Sequence, residues 1–365
     1  MKKNNVLITC LMALVMVACG PKDPIEPEGP IEPDVMTVGK GVLVLNEGNF
    51  TYANASLTFY DPEMDTVANN LFYRVNGAPI GDVGQSLAMI DGKLYIVVNN
   101  SNYIYKVDAS TIVCNTTQPY RLTDFYSPRF MLAVAPNKAY VSDLVGTDLW
   151  IVNPQDMTHT GTIEMGKSTE TMVQVGQEVY VTNWSRYYTQ GVQNNTVQVV
   201  DINNDVKVAE IEVGFEPNGM VVDKNGYLWV LCEGDANDPE VPSTLWKIDP
   251  RTKIATLVVT YEKKALNLAI DPTGNYLYYV YGGDYVVGGD IHRVNVDSPE
   301  VEDNFVIPSE GKMFYKLAVN PENGDIYVSD AKTYTVEGTV YRYSSDGLLL
   351  SSFDAGICPG FMLFN

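Results

Sequence analysis

The sequence predicts an all-β fold, because one short pattern of strand-forming residues returns seven times along the chain. In each copy a few apolar residues are followed by a polar loop and then by a second apolar run. Successive copies begin 40 to 52 residues apart, a spacing typical of β-propeller blades and built here from strands alone. The first apolar run of each copy occupies residues 42–45, 94–97, 139–141, 179–181, 228–230, 277–280 and 326–328.

The second apolar run of each copy agrees with the first and predicts a second strand in every unit. It begins at an aliphatic residue and ends at Asp, Asn or Ser, whose short polar side chains favour turns. The aromatic residues of the first run are expected to be core, where adjacent blades pack. The second runs occupy residues 57–61, 104–108, 149–153, 197–201, 245–249, 291–295 and 340–344.

A third apolar run lies upstream of each copy, and its seventh member is displaced to the C-terminus. This member, residues 362–364, has no strand after it and should pair with residues 42–45. Such pairing removes the free sheet edges between the last and first blades. The sequence therefore predicts a seven-bladed β-propeller that is closed by pairing of its N- and C-terminal strands. The other six runs occupy residues 87–90, 132–134, 172–175, 220–222, 268–270 and 317–319.

The first 38 residues predict a processed and tethered segment that precedes the propeller. Residues 1–18 combine a basic start with an apolar run too short to span a bilayer, as in a signal peptide. Cys19 and the small residues before it resemble a bacterial lipobox, so Cys19 is the predicted lipidation site; an incidental Cys in a cleaved leader is the alternative. Residues 19–38 are rich in Pro and acidic residues and predict an extended tether. Residues 39–365 then form the propeller.

Composition excludes several functions. The 365 residues carry a net charge of −21, which disfavours nucleic acid and anionic membrane surfaces, so only the lipid anchor should contact a membrane. The two histidines, His159 and His292, cannot form a three-His zinc site, and neither is placed for a Ser-His-Asp relay. We therefore predict no catalytic residues, no metal site and no cofactor.

Two features leave alternatives open. Residues 233–240 carry four carboxylates that could bind Ca²⁺, but their spacing does not match an EF-hand, and a solvated surface loop is the better default. Cys114, Cys232 and Cys358 remain after the leader, so at most one disulfide can form.

The loops that gather around the axis on one face of a propeller carry residue types suited to binding. Tyr and Trp supply apolar area at low entropy cost, while amides and Arg supply hydrogen bonds. Some of these rings could instead fold over the blade tips. The predicted ligand-binding residues are Asn49, Phe50, Tyr52, Gln85, Asn100, Tyr126, Arg129, Trp184, Arg186, Tyr187, Tyr188, Tyr285, Tyr315 and Tyr334.

The opening GVLVLNEGNF at 41–50, with NASLTFYD at 54–61, resembles YncE-like surface propeller lipoproteins of Bacteroides. With the lipobox and seven repeats, the whole mature chain is similar to the BtuG-type family of that group. The resemblance implies a vitamin B12 binder at the outer-membrane surface that passes its ligand to a BtuB-type TonB-dependent transporter. No short motif fixes ligand contacts in such proteins, so the site residues rest on loop position alone.

The expected function is non-covalent capture of cobalamin and related corrinoids, without catalysis. Because the chain has so few histidines, the ligand should bind with its own base still on cobalt. Three other functions remain open, namely binding of another nutrient such as a glycan or another tetrapyrrole, metal-dependent propeller hydrolysis as in lactonases, and a pure protein-interaction scaffold.

Overall fold

The computed structural model describes residues 37–115, 119–121, 126–184, 194–235, 238, 240–283, 286–299 and 304–365. Across these ranges the strands form seven antiparallel sheets, six of four strands and one of three. The innermost strands of the sheets contact one another in a closed cycle. The predicted seven-bladed β-propeller is therefore confirmed. In the same ranges, no helix has the length and apolarity that a membrane span requires.

Strands are numbered along the chain, and each blade is given from the axis outward. Blade 1 contains β1 (Val42–Asn46), β2 (Ser56–Asp61) and β3 (Thr66–Ala68), with β27 (Pro359–Phe364) innermost. Blade 2 contains β4 (Gly84–Ile90), β5 (Lys93–Val98) and β6 (Tyr103–Asp108). Blade 3 contains β7 (Pro128–Ala135), β8 (Lys138–Asp143), β9 (Asp148–Asn153) and β10 (Thr158–Glu164). Blade 4 contains β11 (Met172–Val175), β12 (Glu178–Thr182), β13 (Thr196–Asp201) and β14 (Val206–Glu212).

The remaining blades repeat the four-stranded pattern. Blade 5 contains β15 (Pro217–Val222), β16 (Leu228–Cys232), β17 (Thr244–Asp249) and β18 (Ile254–Thr260). Blade 6 contains β19 (Ala265–Ile270), β20 (Tyr276–Tyr281), β21 (Asp290–Asn295) and β22 (Val306–Ile307). Blade 7 contains β23 (Phe314–Val319), β24 (Ile326–Asp330), β25 (Glu337–Tyr343) and β26 (Leu349–Ile357).

The ring closes through the two ends of the described chain. Strand β1 pairs antiparallel with β27, so that Val42 lies opposite Phe364 and Val44 lies opposite Met362. Gly41 and Asn365 then exchange backbone hydrogen bonds of 3.3 and 3.0 Å. This confirms the predicted closure, and it gives blade 1 an innermost strand from the opposite end of the sequence.

Aromatic residues in the second strand of each blade, counted from the axis, join neighbouring blades. These strands are the first apolar runs of the sequence repeat. All six predicted core aromatics are at most 2 % exposed. The hydroxyl of Tyr180 donates to the carbonyl of Pro250 in blade 5 at 3.2 Å. Likewise Tyr95 donates to the carbonyl of Pro154 in blade 3, and Tyr140 to Asp205 in blade 4. These aromatics are therefore blade-to-blade contacts, as predicted, and the six are Tyr95, Tyr140, Tyr180, Trp229, Tyr278 and Tyr327.

Blade 2 departs from the repeat in the part of the chain that is described. Its outer side carries only isolated bridges at Cys114 and Tyr120, and helix α1 (Leu71–Asn76) packs beside it. Leu71 and Phe72 bury one face of this short helix. The helix ends at Gly77, whose left-handed backbone (φ 67°) suits a residue without a Cβ.

Two smaller predictions concern the end of the tether and the cysteines. Val38, which the sequence analysis placed in the tether, is 3 % exposed, and its N–H donates to the carbonyl of Ser110 at 2.7 Å. In the described part of the chain, Cys114, Cys232 and Cys358 form no disulfide with one another.

Removal of residues 356–365 tests the closure. The deletion takes away all of β27 and the last two residues of β26. Because blade 1 then lacks its innermost strand, we expect loss of the cooperative urea transition rather than a small shift. Deletion of Asn365 alone is the control and should leave a cooperative transition. A soluble, cooperatively unfolding protein without residues 356–365 would show that closure is dispensable.

The buried tyrosines predict an alkaline limit to stability. Burial raises the pKa of Tyr95 and of Tyr327 from 10.0 to about 12. Their stabilising contribution is complete below pH 10 and is lost as the pH rises towards 12, since the unfolded state ionises first. Urea unfolding followed across this interval should show a falling free energy of unfolding. A constant free energy would contradict this assignment.

Candidate ligand-binding site at the propeller axis

A pocket of about 250 Å³, the axial pocket, opens at one end of the propeller axis and is lined by all seven blades. Its lining comes from the starts of innermost strands and from loops after second strands, which form the face predicted to carry the site. The lining residues are Glu47, Val83, Gln85, Arg129, Phe130, Glu170, Trp184, Asn218, Glu233, Leu266, Asn267, Phe314, Tyr315, Lys316 and Tyr334.

Irregularities at the start of the innermost strands turn side chains towards this pocket. In β4, Gly84 pairs with Val98 and Ser86 with Val97, so Gln85 is an extra residue without a partner across the ladder. A bulge of this kind re-aims a side chain and locally breaks the pairing. The ladders of β7, β15, β19, β23 and β27 shift at the equivalent place. The residues in these shifts include Arg129, Asn218, Asn267, Tyr315 and Gly360.

Arg129 is the centre of a buried ionic network in the pocket. Its Nη2 lies 2.7 Å from Glu170 Oε1, and its Nε donates to Oε2 of the same carboxylate at 2.8 Å. Its Nη1 donates to Gln85 Oε1 at 2.6 Å. Burial opposes the charge on Arg129, but the adjacent Glu170 carboxylate outweighs it and raises the pKa of the guanidinium. Arg129 therefore remains charged inside the pocket wall.

Glu233, which follows the second strand of blade 5, forms a second polar cluster in the pocket wall. It is only 6 % exposed, and burial raises the pKa of its carboxyl group. Asn218 Nδ2 donates to Glu233 Oε1 at 2.5 Å, and Lys264, Lys316 and the Trp184 indole also oppose the rise in pKa. The prediction that residues 233–240 form a solvated surface loop is wrong for Glu233, because its side chain turns inward to the axis.

Trp184 lies between the two clusters. Its ring stacks against the Arg129 guanidinium, whose carbon is 5.5 Å from the ring centroid. The indole Nε1 is buried and makes no hydrogen bond within the described part of the chain. The pocket therefore presents a buried donor to whatever occupies it.

The pocket wall formed by blades 1, 6 and 7 is rich in tyrosine. The Tyr315 hydroxyl donates to the Glu47 carboxylate at 2.9 Å, and Asn267 Nδ2 donates to the Tyr315 carbonyl at 2.6 Å. Tyr334 meets the Tyr315 ring edge-on, with centroids 5.5 Å apart. Asn49 Nδ2 donates to the carbonyl of Tyr334 at 2.7 Å, so Asn49 supports the rim of the pocket.

The structure brings five of the predicted residues into the pocket lining, namely Gln85, Arg129, Trp184, Tyr315 and Tyr334. Phe50, Tyr52 and Tyr126 lie outside the lining as rings that are 68 %, 74 % and 63 % exposed. Asn100 Nδ2 donates to Asp82 and holds its own loop. The predicted residues that fall outside the described part of the chain are Cys19, Arg186, Tyr187, Tyr188 and Tyr285.

Sequence reasoning missed the carboxylates Glu47 and Glu170, and it read Glu233 as solvated. The sequence does mark four residues of the innermost-strand bulges, because each of them follows a Gly or a Pro. The pairs are Gly84–Gln85, Pro128–Arg129, Pro217–Asn218 and Pro359–Gly360. Within the described ranges, no group of three or more His, Cys, Asp or Glu residues could hold a metal ion. The three axial carboxylates therefore belong to hydrogen-bonded clusters.

The fold and the site together define a closed β-propeller with a polar pocket on its axis. The chain belongs to the DUF5074 family, a domain of unknown function that matches residues 40–355. A comparison with curated proteins found no match.

Three solved structures that share this fold are distant from this chain in sequence. One is a quinonprotein alcohol dehydrogenase-like protein from Bacteroides thetaiotaomicron (17 % identity, 90 % of this chain and 79 % of that chain, TM-score 0.67). Another is a proposed 6-phosphogluconolactonase from Bacteroides uniformis (13 % identity, 89 % and 99 %, TM-score 0.64). A third is virginiamycin B lyase from Staphylococcus aureus (12 % identity, 74 % and 83 %, TM-score 0.55). These likenesses show the fold alone.

The substitution Glu170→Gln tests the buried pair. It leaves the Arg129 charge without its carboxylate, and breaking such a pair costs about 3 kcal/mol of unfolding free energy. Urea unfolding measures the loss. The control is Lys40→Ala, which removes an ion pair to Glu322 whose side chains are 73 % and 68 % exposed, and which should change stability little. Equal effects of the two substitutions would contradict the assigned role of Arg129 and Glu170.

Proposed function

We propose that this chain is a cell-surface lipoprotein that binds cobalamin and related corrinoids without covalent chemistry and passes them to a TonB-dependent outer-membrane transporter. The observation that carries the proposal is the axial pocket, whose lining includes both hydrogen-bond acceptors and hydrogen-bond donors. A corrinoid is a large disc fringed with carboxamides, and each carboxamide both donates and accepts hydrogen bonds.

The polar groups of the pocket suit such a fringe. Glu47, Glu170 and Glu233 supply carboxyl oxygens that can accept from amide N–H groups. Lys316 and the Trp184 indole supply donors for amide carbonyls. Both kinds of group lie within one concave site, which holds a neutral polar ligand better than a strongly charged one.

The size of the pocket determines how a corrinoid would sit. A volume of about 250 Å³ can admit side-chain arms or one edge of the disc, but it cannot enclose the whole ligand. The disc would therefore lie across the mouth. Phe50, Tyr52 and Tyr126 present exposed rings on the same end of the propeller and can cover its apolar surfaces.

The position of the tether is compatible with transfer to a transporter. The chain enters β1 at Val42 and reaches the pocket only after Asn46, so the tether joins the end of the propeller opposite to the pocket. If the tether ends before the buried Val38 and is extended, residues 19–36 would reach roughly 55 Å. That length lets the pocket face turn towards a partner in the same membrane.

A glycan is the second candidate ligand. Exposed aromatic rings on an open face also suit stacking on sugar rings, and Phe50, Tyr52 and Tyr126 are such rings. Glycan binding would depend mainly on these three exposed rings.

Isothermal titration calorimetry with cyanocobalamin tests the proposal. We expect tight one-to-one binding, and Trp184→Ala should weaken it by about 10-fold or more, since buried aromatic anchors dominate such sites. The control is Tyr73→Ala, which removes a half-exposed ring on α1 outside the axial pocket and should leave affinity unchanged. Absence of heat and of co-elution of the red ligand on gel filtration would refute cobalamin binding, and glycans would be titrated next.

A further inference from the structure

We propose that the axial pocket contains a subsite for a primary carboxamide, held between the indole N–H of Trp184 and the carboxyl group of Glu233. The proposal deepens the proposed function and rests on it only for the identity of the whole ligand. The subsite itself rests on the chemistry of the two side chains, which line the same pocket.

Trp184 provides the donor. Its Nε1 is buried and makes no hydrogen bond to the described residues, although an unpaired buried donor is costly. The Arg129 guanidinium stacks against the indole ring, and Glu170 and Gln85 hold that guanidinium in place. The N–H therefore lies in the pocket wall beside Glu233, where an acceptor atom of a ligand can reach it.

Glu233 provides the acceptor. Its backbone is fixed by hydrogen bonds from its N–H to Glu216 O at 3.0 Å and from Ser243 Oγ to its carbonyl at 2.6 Å. Asn218 Nδ2 occupies Oε1, while Oε2 is not engaged by Asn218. The indole of Trp184 is close enough to influence the carboxyl group, so donor and acceptor lie side by side in the pocket wall.

A primary carboxamide matches this pair better than a charged group does. It offers one carbonyl acceptor to Trp184 and two N–H donors to Glu233, and it carries no charge. A ligand carboxylate would lie beside the carboxyl groups of Glu233, Glu170 and Glu47 in a poorly screened environment. An ammonium group would be attracted, but it has no acceptor for the indole N–H.

The first test uses small probes and does not depend on cobalamin. The four tryptophans give separate indole N–H signals in a nitrogen-correlated NMR spectrum, and Trp184→Phe identifies one of them. We expect acetamide to shift the Trp184 signal saturably and acetate to leave it unchanged. The Trp246 signal is the internal control, because its Nε1 already donates to Thr244 Oγ1 at 3.0 Å. A Trp184 signal that ignores acetamide, or that responds equally to acetate, would overturn the proposal.

The variant Glu233→Gln separates the charge from the shape of the acceptor. The glutamine keeps a carbonyl acceptor and removes the negative charge, so acetate should now shift the Trp184 signal and the preference for acetamide should shrink. An unchanged preference in Glu233→Gln would assign the selectivity to another group and would remove Glu233 from the subsite.

The second test links the subsite to the proposed ligand. Cyanocobalamin should bind at least about 10-fold more tightly than its derivative in which the arm entering the pocket is hydrolysed to a carboxylate. Trp184→Phe should weaken cyanocobalamin binding by about 10-fold, whereas Trp246→Phe should not. If acetamide shifts the Trp184 signal but cyanocobalamin does not bind, the subsite stands and the proposed function fails. If cyanocobalamin binds equally well to wild type and Trp184→Phe, and every hydrolysed derivative binds as tightly, the function stands and the subsite fails.

Discussion

The pairing of the last strand with the first is the constraint on which the rest of the structure depends. It completes blade 1, and it also builds one wall of the axial pocket. Glu47, which follows β1, donates its backbone N–H to the carbonyl of Cys358, and the next residue, Gly48, donates to Ile357. The carboxylate of Glu47 then receives the Tyr315 hydroxyl from blade 7. The contacts that close the ring therefore also shape the pocket. A pocket lined by seven blades forms only when closure holds all seven blades in place.

The second determinant of the site is local distortion at the entry of the innermost strands. Val83, Glu216 and Cys358 each precede such a strand and have left-handed backbone conformations (φ 61°, 54° and 50°). This conformation is disfavoured for residues with a Cβ, and most strongly for a β-branched residue such as Val83. Residues in sparsely populated conformations concentrate at functional sites, where the surrounding structure holds them. Here the distortion points Gln85, Asn218 and their equivalents at the axis instead of along the sheet.

The blades and their closure could be predicted because they depend on local, repeated signals. Apolar strands, turn residues and a displaced seventh copy are visible in any reading of the chain, and the buried aromatics follow from their place in the repeat. Gln85, Arg129 and Trp184 could be placed near the axis because loop position alone fixes the end of the propeller. Glu47, Glu170 and Glu233 could not be found in this way, since an acidic residue usually faces water. Their burial depends on the convergence of blades that are far apart in sequence, and on bulges that periodicity cannot reveal.

The central claim is that the propeller axis is the place where a corrinoid binds. Crystals of the protein grown with cyanocobalamin, measured at the cobalt absorption edge, locate the metal directly through an anomalous difference map. The account predicts one cobalt peak above the mouth of the axial pocket, with a carboxamide arm directed to Trp184 and Glu233. A peak at the outer strands of the blades, or no peak at saturating ligand, would contradict it.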